Sequence, residues 1–242
     1  MRVRKIASAI SEARQGAEFD LIIAHGAGAY GHQPAKKYDA MKGIHPEYGW
    51  KGYYQIRAAM TQMNLRFVGL CQQENLYPVT IQPASITLAN RGHIESMYLS
   101  SIQTLLDFRQ IPLLHGDIVL DKERGFTIAS TEDLLIFLSE HLVFKRIIML
   151  SDVEGVLDKF GQTIPIIDRN NFNEIDAYLG DARGIDVTGG MRQKVNILFK
   201  LVQKNHSTHA FIVSGSSEPG KIRDLILGSL KGDTYICNDR HH

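Results

Sequence analysis

Apolar positions recur at intervals of three and four in RVRKIASAISEAR (2–14) and over a longer stretch, roughly 50–75, where Ile56, Met60, Met63, Phe67 and Leu70 share one face. That period predicts two amphipathic helices. Runs of another kind alternate with them: DLIIAH (20–25), PVTIQPA (78–84), IPLLHGDIVLD (111–121), RIIMLSDVEGVLD (146–158) and HAFIVSG (209–215). They are short, apolar and rich in branched residues, and several stop at glycines or acids, as buried parallel strands do. HIESMYLSSIQTLLDFRQ (93–110) reads as mostly helix. TEDLLIFLSEHL (131–142), capped by Ser130 or Thr131, and TGGMRQKVNILFKLVQK (188–204) read as helices. Residues 33–49, with Pro34, Gly43, Pro46 and Gly49, predict a loop or lid, and 159–185 a mixed connection. The tail carries a short helix and a last strand at DTYICN. Strands alternate with helices, without a repeat or a linker. This predicts one α/β domain over residues 1–242 with a largely parallel sheet covered on both faces. Such sheets collect ligands at the carboxyl ends of their strands.

Composition changes this picture little. A net charge of +1 gives no reason to expect a nucleic-acid or membrane surface, so any anion must be bound by local groups. No apolar run approaches the length of a membrane span, and the charged amino end lacks the apolar core of a signal peptide. Cys71 and Cys237 suggest no disulfide framework, which fits a reducing cytoplasm. The histidines show no metal-ligand spacing, and no residue is assigned to a metal.

The candidate chemistry lies at the strand ends. In HGAGAYGH (25–32), Gly26, Gly28 and Gly31 match the spacing of a dinucleotide-binding turn. That reading also needs an acid about 20 residues on, at a strand end, to bind a ribose. Glu47 falls instead in a Pro/Gly-rich segment. The glycines still admit backbone N–H groups close to an oxyanion, so a phosphate is a reasonable ligand, with His32 as a donor and Lys36 or Lys37 adding charge. SDVEGVLD (151–158) places Asp152 and Glu154 about a glycine turn, either to contact a nucleotide or as an ordinary acidic turn. DVTGGMRQK (186–194) offers a helix start, with Thr188 as cap, Gly189 and Gly190 at the entry, and Lys194 one to two turns in. That combination suits phosphate. HGDIVLD (115–121) and STED (130–133) add Asp117, Glu132 and Asp133 as possible orienting acids; for the last two, stabilisation of a helix start is the simpler role. No P-loop, protein-kinase signature or nucleophile elbow is present.

Taken in order, HGAGAYGH, HGDIVLD, SDVEGVLD and DVTGGMRQK resemble the amino acid kinase superfamily, and within it the isopentenyl phosphate kinases and the related fosfomycin kinases. The resemblance implies a three-layer αβα sandwich with a mostly parallel central sheet, usually in a homodimer, and transfer of phosphate from ATP, with Mg²⁺, to a small-molecule phosphate. The product would be isopentenyl diphosphate, an isoprenoid precursor. It implies that Gly26, Ala27, Gly28, His32 and Thr131 hold the acceptor. Gly28, Asp152, Leu157, Gly190 and Lys194 would meet the nucleotide, with His32 and Lys194 acting in catalysis. The alternatives are a phosphonate kinase of the same superfamily and a non-catalytic nucleotide-binding homologue. Two departures stand out. The family opens with a K-x-G-G-S strand, whereas this sequence begins in what reads as the following helix, so it reads as truncated there. Where the family has S-G-D, this chain has Thr131 and Glu132, with Asp133 one residue late.

Overall fold

The computed structural model describes residues 2–181 and 190–239. They cluster into two compact units, one of residues 18–137 and one of residues 1–17 with 138–242. Thr188 and Gly189, expected at a helix entry, lie outside the described residues.

In the 18–137 unit, β1 (Ile23–His25) and β2 (Val79–Thr80) flank β5 (Pro112–His115) in a parallel sheet, with His25 in register with His115. A second sheet has the order β4 (His93–Met97), β3 (Thr87–Asn90), β6 (Asp117–Asp121), β7 (Gly125–Ala129). Two helices pack together beside these strands: α2 (Gly28–Lys37) and α3 (Lys51–Gln72). The apolar stripe of α3 divides in two. Ile56 and Met60 are buried in a core with Ala40, Ile118 and Phe126, while Tyr53 and Met63 pack at its edge.

Three sequence expectations change here. The stretch 93–110 is a strand followed by the short α5 (Ser100–Asp107), and β3 turns tightly into β4. Arg91 (φ 53°) and Gly92 (φ 86°) supply the two left-handed residues of a two-residue hairpin, which override the helix-like spacing. The strand expected over 78–84 is confined to Val79–Thr80, because Pro83 opens the one-turn α4 (Pro83–Ile86). Finally, the expected loop at 33–49 is helical as far as Lys37, despite Pro34. Tertiary packing decides this: Gly31 is buried where an added Cβ would lie 2.9 Å from Met60 Sδ, so α2 rests directly on α3. The rest of the segment is tied down as well, with the Ile44 N–H donating to the Arg124 carbonyl at 3.0 Å.

The other unit holds α1 (Arg2–Gly16) and the sheet β8 (Arg146–Ser151), β10 (His209–Ser214), β11 (Thr234–Ile236), β9 (Ile166–Ile167). β8 and β10 run parallel in unbroken register from Arg146↔His209 to Ser151↔Ser214. Their near-continuous apolar sequences are what a strand covered on both faces requires. The helices are α7 (Phe172–Asp181), α8 (Gly190–Lys204) and α9 (Pro219–Leu227), the last packed on α1. The expected α/β class with mostly parallel pairing is observed. Among the described residues, the strands are divided over three sheets.

Candidate active site

In the 18–137 unit three of the expected segments converge on one atom, the carbonyl oxygen of His25. It accepts from the Gly116 N–H at 3.0 Å and from the Thr131 hydroxyl at 3.1 Å. The glycine octet, the HGD turn and the start of α6 (Thr131–Ser139) are thereby joined at the carboxyl ends of β1 and β5. Gly116 and Gly26 both lie beside Thr131 at distances that leave room for an ordinary contact. A Cβ on Gly116 would sit 3.6 Å from both the backbone nitrogen and Oγ1 of Thr131, and one on Gly26 would sit 4.0 Å from Thr131 Oγ1.

Past His25, the chain runs through Gly26 and Ala27 into α2, whose first residue, Gly28, has φ 48°. Ala27 offers no side-chain cap, which leaves the N–H groups of the first turn without a side-chain acceptor among the described residues, as an anion site requires. His32 stands one turn further on, exposed, with no hydrogen bond or ion pair to a described residue. Gly31 points the other way, into Met60, so the third glycine of the apparent dinucleotide spacing serves helix packing. Met63, with its Cε 3.8 Å from the position of a Cβ on Gly28, and Phe67, stacked on the His25 ring at 4.7 Å, give the loop an apolar neighbour.

The acids fare differently. Asp117 is buried and receives Arg57 Nη1 at 2.9 Å and its neighbour's N–H, from Ile118, at 2.9 Å. Burial outweighs the guanidinium and raises its pKa to about 6. Asp133 is taken up in a reciprocal helix cap: its carboxylate accepts from the Ser130 hydroxyl at 2.6 Å and from the Ser130 N–H at 2.9 Å, while Ser130 Oγ accepts the Asp133 N–H at 3.0 Å. Ser130, rather than Thr131, is therefore the cap. Glu132 is half-buried and makes no hydrogen bond or ion pair with a described residue. Beneath the loop, His25 and His115 stack at 5.3 Å. His25 Nε2 lies 3.1 Å from Asn64 Oδ1, and His115 Nε2 has no partner among the described residues. Burial lowers the pKa of both rings.

In the other unit, the β8 strand ends at Ser151, whose hydroxyl donates to the Val153 carbonyl at 2.7 Å and holds the turn closed. Asp152 is exposed and paired with Arg2 of α1. Leu157 starts a small hairpin and bridges to Thr163. The Gly215 N–H donates to the Ser151 carbonyl at 2.8 Å, which brings the turn after β10 beside the turn after β8. Gly190 is the first residue of α8, and Lys194, one turn on, is half-buried without a hydrogen bond or ion pair to a described residue. The sequence reading missed Arg57, whose partner Asp117 lies far away in the chain. Arg57 stands 60 residues from Asp117, and nothing local in the sequence marks it off from the other polar positions of α3.

The model of the amino acid kinase family matches residues 2–214. Among characterised proteins, the isopentenyl phosphate kinase of Methanocaldococcus jannaschii is 34% identical over 223 residues, covering 90% of this chain and 81% of the relative. That of Methanothermobacter thermautotrophicus is 28% identical, covering 97% and 89%. A crystal structure of an isopentenyl phosphate kinase superposes with a TM-score of 0.78 at 25% identity, over 97% of this chain and 90% of its own.

Proposed function

The chain belongs to the amino acid kinase family, and from that premise we propose that it phosphorylates isopentenyl phosphate with ATP, giving isopentenyl diphosphate and ADP. The observation that carries the reading is the convergence of the octet, the HGD turn and Thr131 on the His25 carbonyl. It builds an uncapped helix start beside an apolar surface, as a short-chain phosphate needs.

An oxygen of the acceptor's phosphate attacks the γ-phosphorus of ATP. A new O–P bond forms as the bond to the β-phosphate oxygen breaks, and ADP departs. Both reactants are anions, so catalysis consists of positioning and charge neutralisation. The N–H groups of Gly26, Ala27 and Gly28 hold the acceptor phosphate, with the Thr131 backbone beside them. His32 donates to it, and Met63 and Phe67 face the five-carbon chain. Gly190 and Lys194 take the nucleotide phosphates, Lys194 balancing charge that builds up in transfer, and the turn from Asp152 to Leu157 meets the nucleotide. Glu132 is the acid free to orient a reactant, since Asp117 and Asp133 are held by Arg57 and Ser130. Mg²⁺ would be carried by the phosphates of ATP rather than by a cluster of described side chains, and it would supply shielding of their charge.

We take residues 1–242 as one functional domain, because the family match runs through both units. We also assign the protein to the cytoplasm as a homodimer without nucleic-acid or membrane partners. The two buried free cysteines support the compartment and the net charge of +1 the absence of nucleic-acid partners, while the homodimer is what the family resemblance implies. No helix among the described residues is long and apolar enough to cross a membrane.

The test is side-by-side turnover of isopentenyl phosphate and fosfomycin by the full gene product. Preference for isopentenyl phosphate is expected; preference for the phosphonate would move the protein to the neighbouring kinases.

A further inference from the structure

Asp233 and Thr234, at the start of β11, touch three separate segments of their unit. Thr234 is fully buried. Its hydroxyl donates to the Ile164 carbonyl at 2.7 Å and accepts the Val156 N–H at 2.8 Å, so it is satisfied in both senses. Asp233 accepts the Ser214 N–H at 2.7 Å through one carboxylate oxygen and pairs with Lys221 of α9 through the other. The turn after β8 has closed down on the two residues. A Cβ on Gly155 would stand 2.5 Å from Thr234 Oγ1 and 3.0 Å from Asp233 Cβ, and Gly155 adopts φ 75°. Only glycine fits there.

These contacts fix both strand-end turns at once. Thr234 sets the exit of the 151–156 turn, and Asp233 sets the end of β10, whose Ser214 is in register with Ser151. The two turns touch through Gly215 and Ser151. We propose that Asp233 and Thr234 are positioning residues for nucleotide binding: they hold the backbone of the 151–157 turn in the shape that receives ATP, without touching the nucleotide themselves. The inference rests on the reading of that turn as the nucleotide segment.

The experiment compares Thr234→Val, which keeps the shape but removes both hydrogen bonds, with Thr234→Ser, which keeps the hydroxyl. Leaving the Val156 N–H and Ile164 carbonyl unsatisfied should raise KM for ATP about tenfold. KM for the phosphate acceptor should stay within about twofold, and Thr234→Ser should recover most of the loss. Direct titration with ATP, without acceptor, should show the same order of affinities. That titration separates this inference from the choice of acceptor, since it reads correctly even if isopentenyl phosphate is not turned over. Should Thr234→Val fail to fold, Asp233→Asn decides, and a selective rise in KM for ATP is again expected. An equal rise in both KM values, a fall in kcat alone, or a Thr234→Ser variant no better than Thr234→Val would overturn the assignment.

Discussion

His32 stands on the exposed side of α2 with no hydrogen bond or ion pair to a described residue, so its removal has little to disturb in the fold. A donor aimed at charge that develops during transfer is another matter, and losing one costs roughly 10²–10³ in rate. His32→Ala should therefore lower kcat by about that factor while the melting temperature stays within a degree or so, a surface change being worth about 0.5 kcal/mol at most. Kinetics like those of the wild type would remove His32 from the mechanism. Gly31, its immediate neighbour, predicts the reverse. An added methyl would lie 2.5 Å from Ala27 Cβ and 2.9 Å from Met60 Sδ. Gly31→Ala should destabilise the protein by about 1–3 kcal/mol in denaturant titration, and an unchanged midpoint would contradict the close packing described. The octet thus holds two kinds of residue, a solvent-facing histidine and a packing glycine, and sequence spacing alone did not separate them.

At the scale of elements, legibility followed how local the signal was. The α3 helix and the strands β8 and β10 are written in periodicity or in unbroken apolar runs, and all were expected close to where they stand. The β3–β4 hairpin was not, because its turn depends on Arg91 in a left-handed conformation, which glycine or asparagine signals far more clearly. The last turn of α2 falls in the expected loop at 33–49, because Pro34 and the proline and glycines after it argue against a helix, and contact with α3 reverses the balance. The site divides in the same way. Its contiguous motifs were readable, whereas Arg57, Asp233 and Thr234 become visible only when distant segments meet.

The paired strand ends also carry a pH expectation. Burial holds His25 and His115 neutral, below the ordinary 6.5. As pH falls the unfolded chain takes up protons there before the folded protein does, so the stability that depends on neutral rings is present above about 6.5 and lost as pH falls below it. Asp117 has the opposite sign: its carboxyl is raised from 3.8 to about 6, so its contribution is present below 3.8 and lost as pH rises through about 6. Comparing His115→Asn with the wild type isolates the ring. Urea unfolding at about pH 7.5 and about pH 5.5 should show the wild type losing more stability on acidification than the variant. Equal losses would mean that His115 is not held neutral.

For the whole molecule, the residues assigned to the acceptor phosphate all lie in the 18–137 unit, and Asp152, Leu157, Gly190 and Lys194 all lie in the other. The family match from residue 2 to residue 214 takes in both. A net charge of only +1 gives the protein no excess charge to draw in anions, which fits the proposed recognition by backbone N–H groups and a few placed side chains. Such a protein should be selective for the size and charge of its acceptor rather than a general binder of phosphates. The most direct measurement is phosphorus NMR of the full gene product with isopentenyl phosphate, ATP and Mg²⁺. The monophosphate signal should give way to the two coupled signals of isopentenyl diphosphate, with one ADP formed for each. ATP consumed without diphosphate formation, or a monophosphate signal that stays unchanged while a known kinase converts it under the same conditions, would contradict it.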